Sequence, residues 1–265
     1  MNITIDGRSI DVDEGITILE ACRAEGIEVP TLCFLETLEP ANACRLCVVE
    51  VEGSVALVPA CSRKVSEGMV VKTHSERVLH SRRMVIEFLA ATTDISLLDV
   101  EWHGADPGRL PIEQRTTSPK VDNGLYVRDL DRCVLCYRCV DVCGEQAQNT
   151  FAISVAGRGS GAAIATEFGV ALPDSACVFC GNCVAVCPTG ALIPFTEFQM
   201  RAGGIWDEER QEVTRTVCAF CGVGCNLDLH VQDGVIVKVT SPLDHDITSG
   251  NLCIKGRFGF QHVET

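Results

Sequence analysis

Apolar and polar residues alternate near both ends of the chain. Ile3 and Ile5 sit between polar neighbours, Asp6-Gly7 supplies a tight turn, and Ile10 and Val12 resume the alternation. That pattern predicts a β-hairpin. Leu227, Leu229 and Val231, then Asp233-Gly234, then Val235, Val237 and Val239 repeat the same device. Residues 17–25 have helical composition, with Ile18, Leu19 and Cys22 at i, i+1 and i+4. The runs CVVEVEG and SVALVPAC predict two strands, and residues 69–73 a third. Ser75 is placed to cap a helix running to about Ala91, with Val78, Arg82, Val85 and Leu89 along one face and Leu79 and Ile86 beside it.

These patterns divide the chain. Residues 1–92 read as one unit, in which a strand pair, a helix and further strands surround a cysteine-bearing loop, a β-grasp arrangement. Residues 93–125 are irregular and broken by Asp106-Pro107-Gly108, Pro111 and Ser118-Pro119, so they read as a linker. Residues 126–200 hold two cysteine runs of matching form about 44 residues apart, an internal repeat. Residues 201–213 are a second linker, and residues 214–265 a last small β-rich module. The predicted class is α+β in several small modules.

Composition narrows the chemistry. The 265 residues carry a formal charge of −14, which disfavours nucleic acid and anionic membrane surfaces as partners. No apolar run reaches the length of a membrane span, and the alternating N-terminus is unlike a signal peptide. The expected compartment is the reducing cytoplasm, where dense cysteine reads as metal binding and not as disulfides. Aromatic residues make up only 5% of the chain, so metal centres are expected to organise much of the fold.

Sixteen of the seventeen cysteines fall into four sets of four. Iron–sulfur clusters need deprotonated thiolates, whose soft sulfur binds iron and offsets its charge. Cys33, Cys44, Cys47 and Cys61 form C-x10-C-x2-C-x13-C, read as a 2Fe-2S site. Cys133, Cys136, Cys139 and Cys143, and then Cys177, Cys180, Cys183 and Cys187, each form C-x2-C-x2-C-x3-C, the bacterial ferredoxin run. Pro188 follows the later run as that pattern wants; Gly144 follows the earlier one. In two-cluster ferredoxins the fourth cysteine of each run serves the other cluster. One 4Fe-4S cluster is therefore expected on Cys133, Cys136, Cys139 and Cys187, and another on Cys143, Cys177, Cys180 and Cys183. Cys218, Cys221, Cys225 and Cys253, with Gly222 and Gly224 to let the backbone bend, read as a third 4Fe-4S site. Four-cysteine zinc is the competing reading for the first and last sets. Cys22 reads as a small core residue, Gly157-Arg158-Gly159-Ser160-Gly161 as a plain turn, and His103 as a solvated loop residue. There is no nucleophile–base constellation, so no catalytic residue is expected.

The segments PTLCFLETLEPANACRLCVVEVEG, LVPACSRKVSEGMVV, RCVLCYRCVDVC, CVFCGNCVAVCPTGAL and CAFCGVGC–CIKGRFGF carry a family resemblance over nearly the whole chain. Their order resembles the N-terminal half of the large iron–sulfur subunit of respiratory complex I. It resembles equally the N-terminal part of NAD-linked formate dehydrogenase alpha subunits. The first two modules also look like the electron-transfer part of multi-subunit NAD-linked hydrogenases. Relatives place an extra cluster, ligated by one histidine and three cysteines, after the first helix; residues 93–125 contain no cysteine, so that cluster is expected to be absent. In formate dehydrogenases the lysine of C-x-K-G lies between a cluster and a pterin, and Lys255 matches it by position.

The resemblance implies a soluble, multi-subunit, NAD(P)-linked oxidoreductase in which this chain carries one 2Fe-2S and three 4Fe-4S clusters and no active site of its own. Implied partners are an NAD(P)-binding flavoprotein subunit, a catalytic hydrogenase or formate dehydrogenase subunit, and soluble ferredoxin. Four clusters beside a flavin would also suit electron bifurcation. With nothing after Thr265 to hold a catalytic domain, the expectation is a wire between two enzymes. The alternative is a free-standing polyferredoxin.

Overall fold

Asp6 and Gly7 both adopt left-handed backbone, φ 48° and 82°, and so close the first hairpin. The computed structural model describes residues 1–97, 103–111 and 117–263. They fall into two compact units: residues 1–34, 40–115 and 134–136 in the first, and residues 35–39, 116–133 and 137–265 in the second.

In the first unit, β1 (Asn2–Ile5) and β2 (Arg8–Asp11) pair antiparallel, with Ile5 opposite Arg8. Helix α1 (Ile18–Ala24) starts in a full capping box: the Thr17 hydroxyl accepts from the Glu20 N–H at 3.2 Å, and the Glu20 carboxylate accepts from the Thr17 N–H at 2.6 Å. Strands β3 (Val48–Val51), β4 (Val58–Pro59) and β5 (Val70–Lys72) complete a mixed five-stranded sheet in the order β2-β1-β5-β3-β4, with β1 and β5 parallel. The run SVALVPAC yields only the two residues of β4, because Ser54 folds back to donate to the Ala56 carbonyl and Val55 is exposed. Ile3, Ile5, Ile18, Leu19, Cys22, Val49 and Val71 are fully enclosed in one core, so Cys22 is the packing residue its sequence position predicts.

Helix α2 (Glu76–Thr92) begins at Ser75, whose hydroxyl accepts from the Val78 N–H at 3.3 Å. Its buried stripe is Val78, Arg82, Ile86 and Ala90, an i+4 row. Val85 and Leu89 lie half-buried to one side, so the face is rotated slightly from the expected one. The described residues of the 93–125 segment form no helix or strand; positions 98–102 and 112–116 lie outside the described residues. His103 is half-buried and not solvated as expected.

In the second unit, β6 (Tyr126–Arg128) pairs antiparallel with β9 (Leu192–Pro194), and helices α3 (Arg138–Cys143) and α4 (Asn182–Ala185) pack together between them in sequence. The hairpin β7 (Ser154–Ala156) and β8 (Ala163–Ala165) holds the glycine-rich turn. Gly157 there has φ 76°, and a Cβ on it would meet the Gly161 carbonyl oxygen at 2.6 Å. Helix α5 (Phe195–Ala202) follows directly on β9. A three-stranded antiparallel sheet, β10 (Glu212–Val217), β11 (Asn226–Gln232) and β12 (Val235–Thr240), turns at Asp233-Gly234 and is followed by the short α6 (Ile254–Phe258). The chain is therefore a mixed α/β protein of small separate sheets.

Candidate metal centres

The first thiol set sits within the core of its own unit. Cys33, Cys47 and Cys61 are buried and Cys44 half-buried. Asn42 and Arg45 take left-handed backbone and fold the loop tightly ahead of Cys47. The thiols gather in two pairs. The Cys44 N–H donates to the Cys33 sulfur at 3.5 Å, and the Cys47 and Cys61 sulfurs lie 3.4 Å apart. The Cys33 thiol's hydrogen bond pulls the Cys44 pKa down to about 5, and the Cys61 thiol does the same in direction for Cys47. Cys33 and Cys61 are pushed up in turn. In each pair the thiolate form is favoured on one sulfur over the other, as for two thiols that share a site. Behind the loop, the Arg82 guanidinium donates to the carbonyls of Leu46 and Val48 at 3.1 and 3.2 Å, bracketing Cys47 from both sides.

The two ferredoxin runs share a backbone device. Leu135 and Tyr137 in one, and Phe179 and Gly181 in the other, are left-handed at matching positions. In the later run backbone amides face the sulfurs: the Phe179 N–H donates to Cys177 Sγ at 3.4 Å, and the Leu192 N–H, on β9, to Cys187 Sγ at 3.4 Å. Cys139 and Cys143 lie on α3 and Cys183 on α4, while Cys187 follows α4. A cavity in the second unit is lined by Cys143, Cys177, Cys180 and Cys183 together with Tyr126, Ile153, Ile164, Leu172 and Leu192. So a cysteine from the earlier run stands with three from the later one. The Tyr126 hydroxyl lies 3.2 Å from Cys177 Sγ, and burial pushes the Tyr126 pKa up. Burial likewise pushes up Cys180 and Cys183. Cys133 is half-buried, and Cys136 and Cys139 are buried.

In the last set, the Cys218 N–H donates to the Cys225 carbonyl at 2.8 Å and closes the knuckle, with Gly224 at φ 80°. Gly222 needs no such freedom. Cys225 is pushed up by burial and then by the charges of Cys218, Cys221 and Cys253, and Cys218 and Cys225 share one small apolar cluster. Cys221 and Cys253 are exposed, as is Lys255 on α6.

Among the described residues no three His, Cys, Asp or Glu side chains converge as a single-ion site requires. The donors present are soft thiols, lined by apolar side chains and backbone amides, and that donor set fits iron–sulfur clusters. Sequence reasoning missed Tyr126, Asn182, Arg82 and Arg257 as residues of these sites, because each reaches its partner across 34 or more positions.

Comparison with known families agrees with the donor chemistry. Residues 1–76 match the 2Fe-2S iron-sulfur cluster binding domain. Residues 125–193 match the ferredoxin-like domain of NADH-quinone oxidoreductase subunit 3, and residues 211–265 the Fe4S4 domain of molybdopterin oxidoreductases. The chain carries 2Fe-2S and 4Fe-4S cluster-binding domains. It is 36% identical over 277 residues to the alpha subunit of an NADPH-Fe(3+) oxidoreductase from Geobacter sulfurreducens, covering 100% of this chain and 32% of that one. It is 39% identical over 286 residues to the HndD subunit of an NADP-reducing hydrogenase from Solidesulfovibrio fructosivorans, covering 99% of this chain and 46% of that one. The chain thus spans about a third to just under a half of the length of these curated relatives. Among solved structures it is similar to a chain of the NAD+-reducing [NiFe]-hydrogenase in the H2-reduced state. That likeness has a TM-score of 0.63 and 26% identity, covering 73% of this chain and 86% of that one.

Proposed function

We propose that this chain is the iron–sulfur electron-transfer part of an NAD(P)-linked oxidoreductase complex, with one 2Fe-2S and three 4Fe-4S clusters. The observation that carries the reading is the match to three iron–sulfur domain families, supported by the thiol pairs of the first unit and the four cysteines lining one cavity of the second. In the first set, two thiol pairs favour two irons with two cysteines each, held by Cys33 with Cys44 and by Cys47 with Cys61. The proposed 4Fe-4S ligands are Cys133, Cys136, Cys139 and Cys187; Cys143, Cys177, Cys180 and Cys183; and Cys218, Cys221, Cys225 and Cys253. Such clusters, when bound, take up and release one electron at a time. The protein's own work is to supply thiolates, to donate backbone N–H groups to sulfur, and to keep water out with residues such as Leu172 and Ile164.

The nicotinamide link rests on the relatives, two of which bear NADP or NADPH in their names. The proposed partners are a flavoprotein that exchanges electrons with the nicotinamide, a hydrogenase or formate dehydrogenase subunit, and soluble ferredoxin. The proposed compartment is the cytoplasm; no helix among the described residues is long and apolar enough to cross a membrane. Lys255 is proposed as a relay residue beside the last site.

Anaerobic purification followed by iron and zinc analysis tests the reading. About 14 iron per chain, two plus three times four, is expected. Zinc in place of iron overturns it. Co-purifying subunits then decide the terminal couple: a nickel-binding subunit means hydrogen, a pterin-binding one means formate.

A further inference from the structure

Arg257 is only 4% exposed, yet it meets no carboxylate among the described residues. Its Nε donates to the Cys180 carbonyl at 3.1 Å. One Nη donates to Asn182 Oδ1 at 3.1 Å and to the Gly250 carbonyl at 3.3 Å. All three acceptors are neutral. Arg128, buried to a similar degree, behaves in the ordinary way and pairs with the Asp122 carboxylate. A buried cation without an anion is costly. One of its three acceptors, the Cys180 carbonyl, belongs to a proposed ligand, so the guanidinium stands against the later ferredoxin run, whose thiolates would supply the counter-charge.

The surroundings are built to hold it there. A Cβ on Gly181 would collide with the Arg257 and Phe258 side chains, so the glycine between Cys180 and Cys183 makes room for them. Phe258 stacks on Tyr126, with ring centroids 6.2 Å apart, and the Tyr126 hydroxyl touches Cys177. Asn182 Oδ1 also accepts from the Leu252 N–H at 2.9 Å. One amide thus ties the residue before Cys183 to the residue before Cys253, and Arg257 reinforces the tie.

We propose that Arg257 is a positioning residue for electron transfer: it places a fixed positive charge that raises the reduction potential at Cys143, Cys177, Cys180 and Cys183, and ties that site to the Cys253 loop. Adding one electron makes a cluster more negative by one charge, with no bond made or broken. A buried guanidinium favours that added charge, and more so in a low-dielectric surrounding. The inference rests on the proposed clusters and assigns the residue that separates the potential of one of them from the rest.

The test is a potential measured on the full chain, titrated anaerobically with dithionite as reductant and ferricyanide as oxidant and followed by electron paramagnetic resonance. The site is identified by the signal that Cys183→Ala removes. In Arg257→Gln, the oxidised-to-reduced ratio of that site at fixed potential is expected to rise on the order of tenfold, a downward shift of about 59 mV for one electron. Arg257→Lys, which keeps the charge, is expected to stay near the wild-type midpoint. An iron-replete Arg257→Gln with unchanged midpoints, or with all midpoints moved together, overturns the inference. If the glutamine variant loses iron, lysine decides alone. Iron retained at the wild-type midpoint supports the assignment; a midpoint displaced as far as expected for glutamine overturns it. If lysine also loses iron, Arg257 is a packing residue and the inference falls. A wild-type chain without iron would instead overturn the proposed function.

Discussion

The first thiol set and the last are made in opposite ways. Cys47 and Cys61 are 2% and 0% exposed and belong to the same core cluster as Ile3, Ile18 and Val71. In the last set Cys221 and Cys253 lie at the surface, and the cluster beneath Cys218 consists of a few side chains such as Leu227, Val239 and Leu252. In the first unit the ligands are core residues, so site and fold stand or fall together. In the last module the ligand loop is attached to a small sheet whose outer strand, β10, is exposed throughout. In the proposed electron-transfer chain, the exposed Cys221 and Cys253 would provide the accessible edge that electron exchange with a partner needs.

The sharpest way to break this comparison is to remove one ligand from each set. Cys47→Ala is expected to lose about two iron and also to lower the unfolding free energy of the first unit by about 3 kcal/mol or more, since the core around Val49 and Cys61 loses both a side chain and a metal centre. Cys253→Ala is expected to lose about four iron with little change in that unit. Iron analysis with guanidinium unfolding checks both, and equal destabilisation by the two variants would sink the contrast.

A second test aims at the support behind the first set. Arg82 is fully buried and its guanidinium holds two carbonyls that flank Cys47. Arg82→Met is expected to cost about 2–3 kcal/mol, because hydrogen bonds from a charged donor are lost and two acceptors stay buried. Arg82→Lys recovers less than half, since one ammonium cannot span both carbonyls as the fork does. If the methionine variant unfolds like wild type, the loop is held by the thiols alone.

A third, smaller effect concerns the helix that opens the core. Thr17→Ala removes one half of the capping box and is expected to cost about 1 kcal/mol, read as a shift in the unfolding midpoint. Glu20→Gln keeps an acceptor for the Thr17 N–H and is expected to cost less.

How much of this was legible beforehand follows from range in sequence. The hairpins at Asp6-Gly7 and Asp233-Gly234 and the cap at Ser75 are local chemistry, and the structure has them where the sequence puts them; Thr17, which opens the expected helical segment 17–25, is its cap. The pairing of Cys33 with Cys44 and of Cys47 with Cys61 is invisible in gaps of ten and thirteen residues, which fix reach but not partners. Strand β10 was not predicted because the run Glu212–Val217 buries no face, although Val213 and Val217 are β-branched in the right rhythm. Helix α5 was missed because it starts immediately after Pro194, inside what reads as the tail of a cysteine run. Arg257 is beyond any window, since its partners lie 7 to 77 residues away.

The smallest expected effect is a pH response confined to one segment of the first unit. Glu87 on α2 accepts from Arg109 Nε at 2.5 Å and from the Asp106 N–H at 3.0 Å, fastening the 103–111 segment to the helix. The Arg109 hydrogen bond, then that of Asp106, lowers the Glu87 pKa below its ordinary value. A carboxylate with a lowered folded pKa lends stability above its unfolded pKa, about 4.3, and loses it as pH falls through the lower folded value. Hydrogen exchange at Asp106 should therefore be slow and flat from pH 7 to about 5, after correction for intrinsic rates. Below about 4 it should quicken. Glu87→Gln should remove the acid-dependent step and leave the segment faster at every pH. The comparable pair in the last module, Arg215 with Asp228, has its arginine more than half exposed, and Asp228→Asn should change exchange there less. If both pairs respond alike, burial does not distinguish the two regions as their thiols imply.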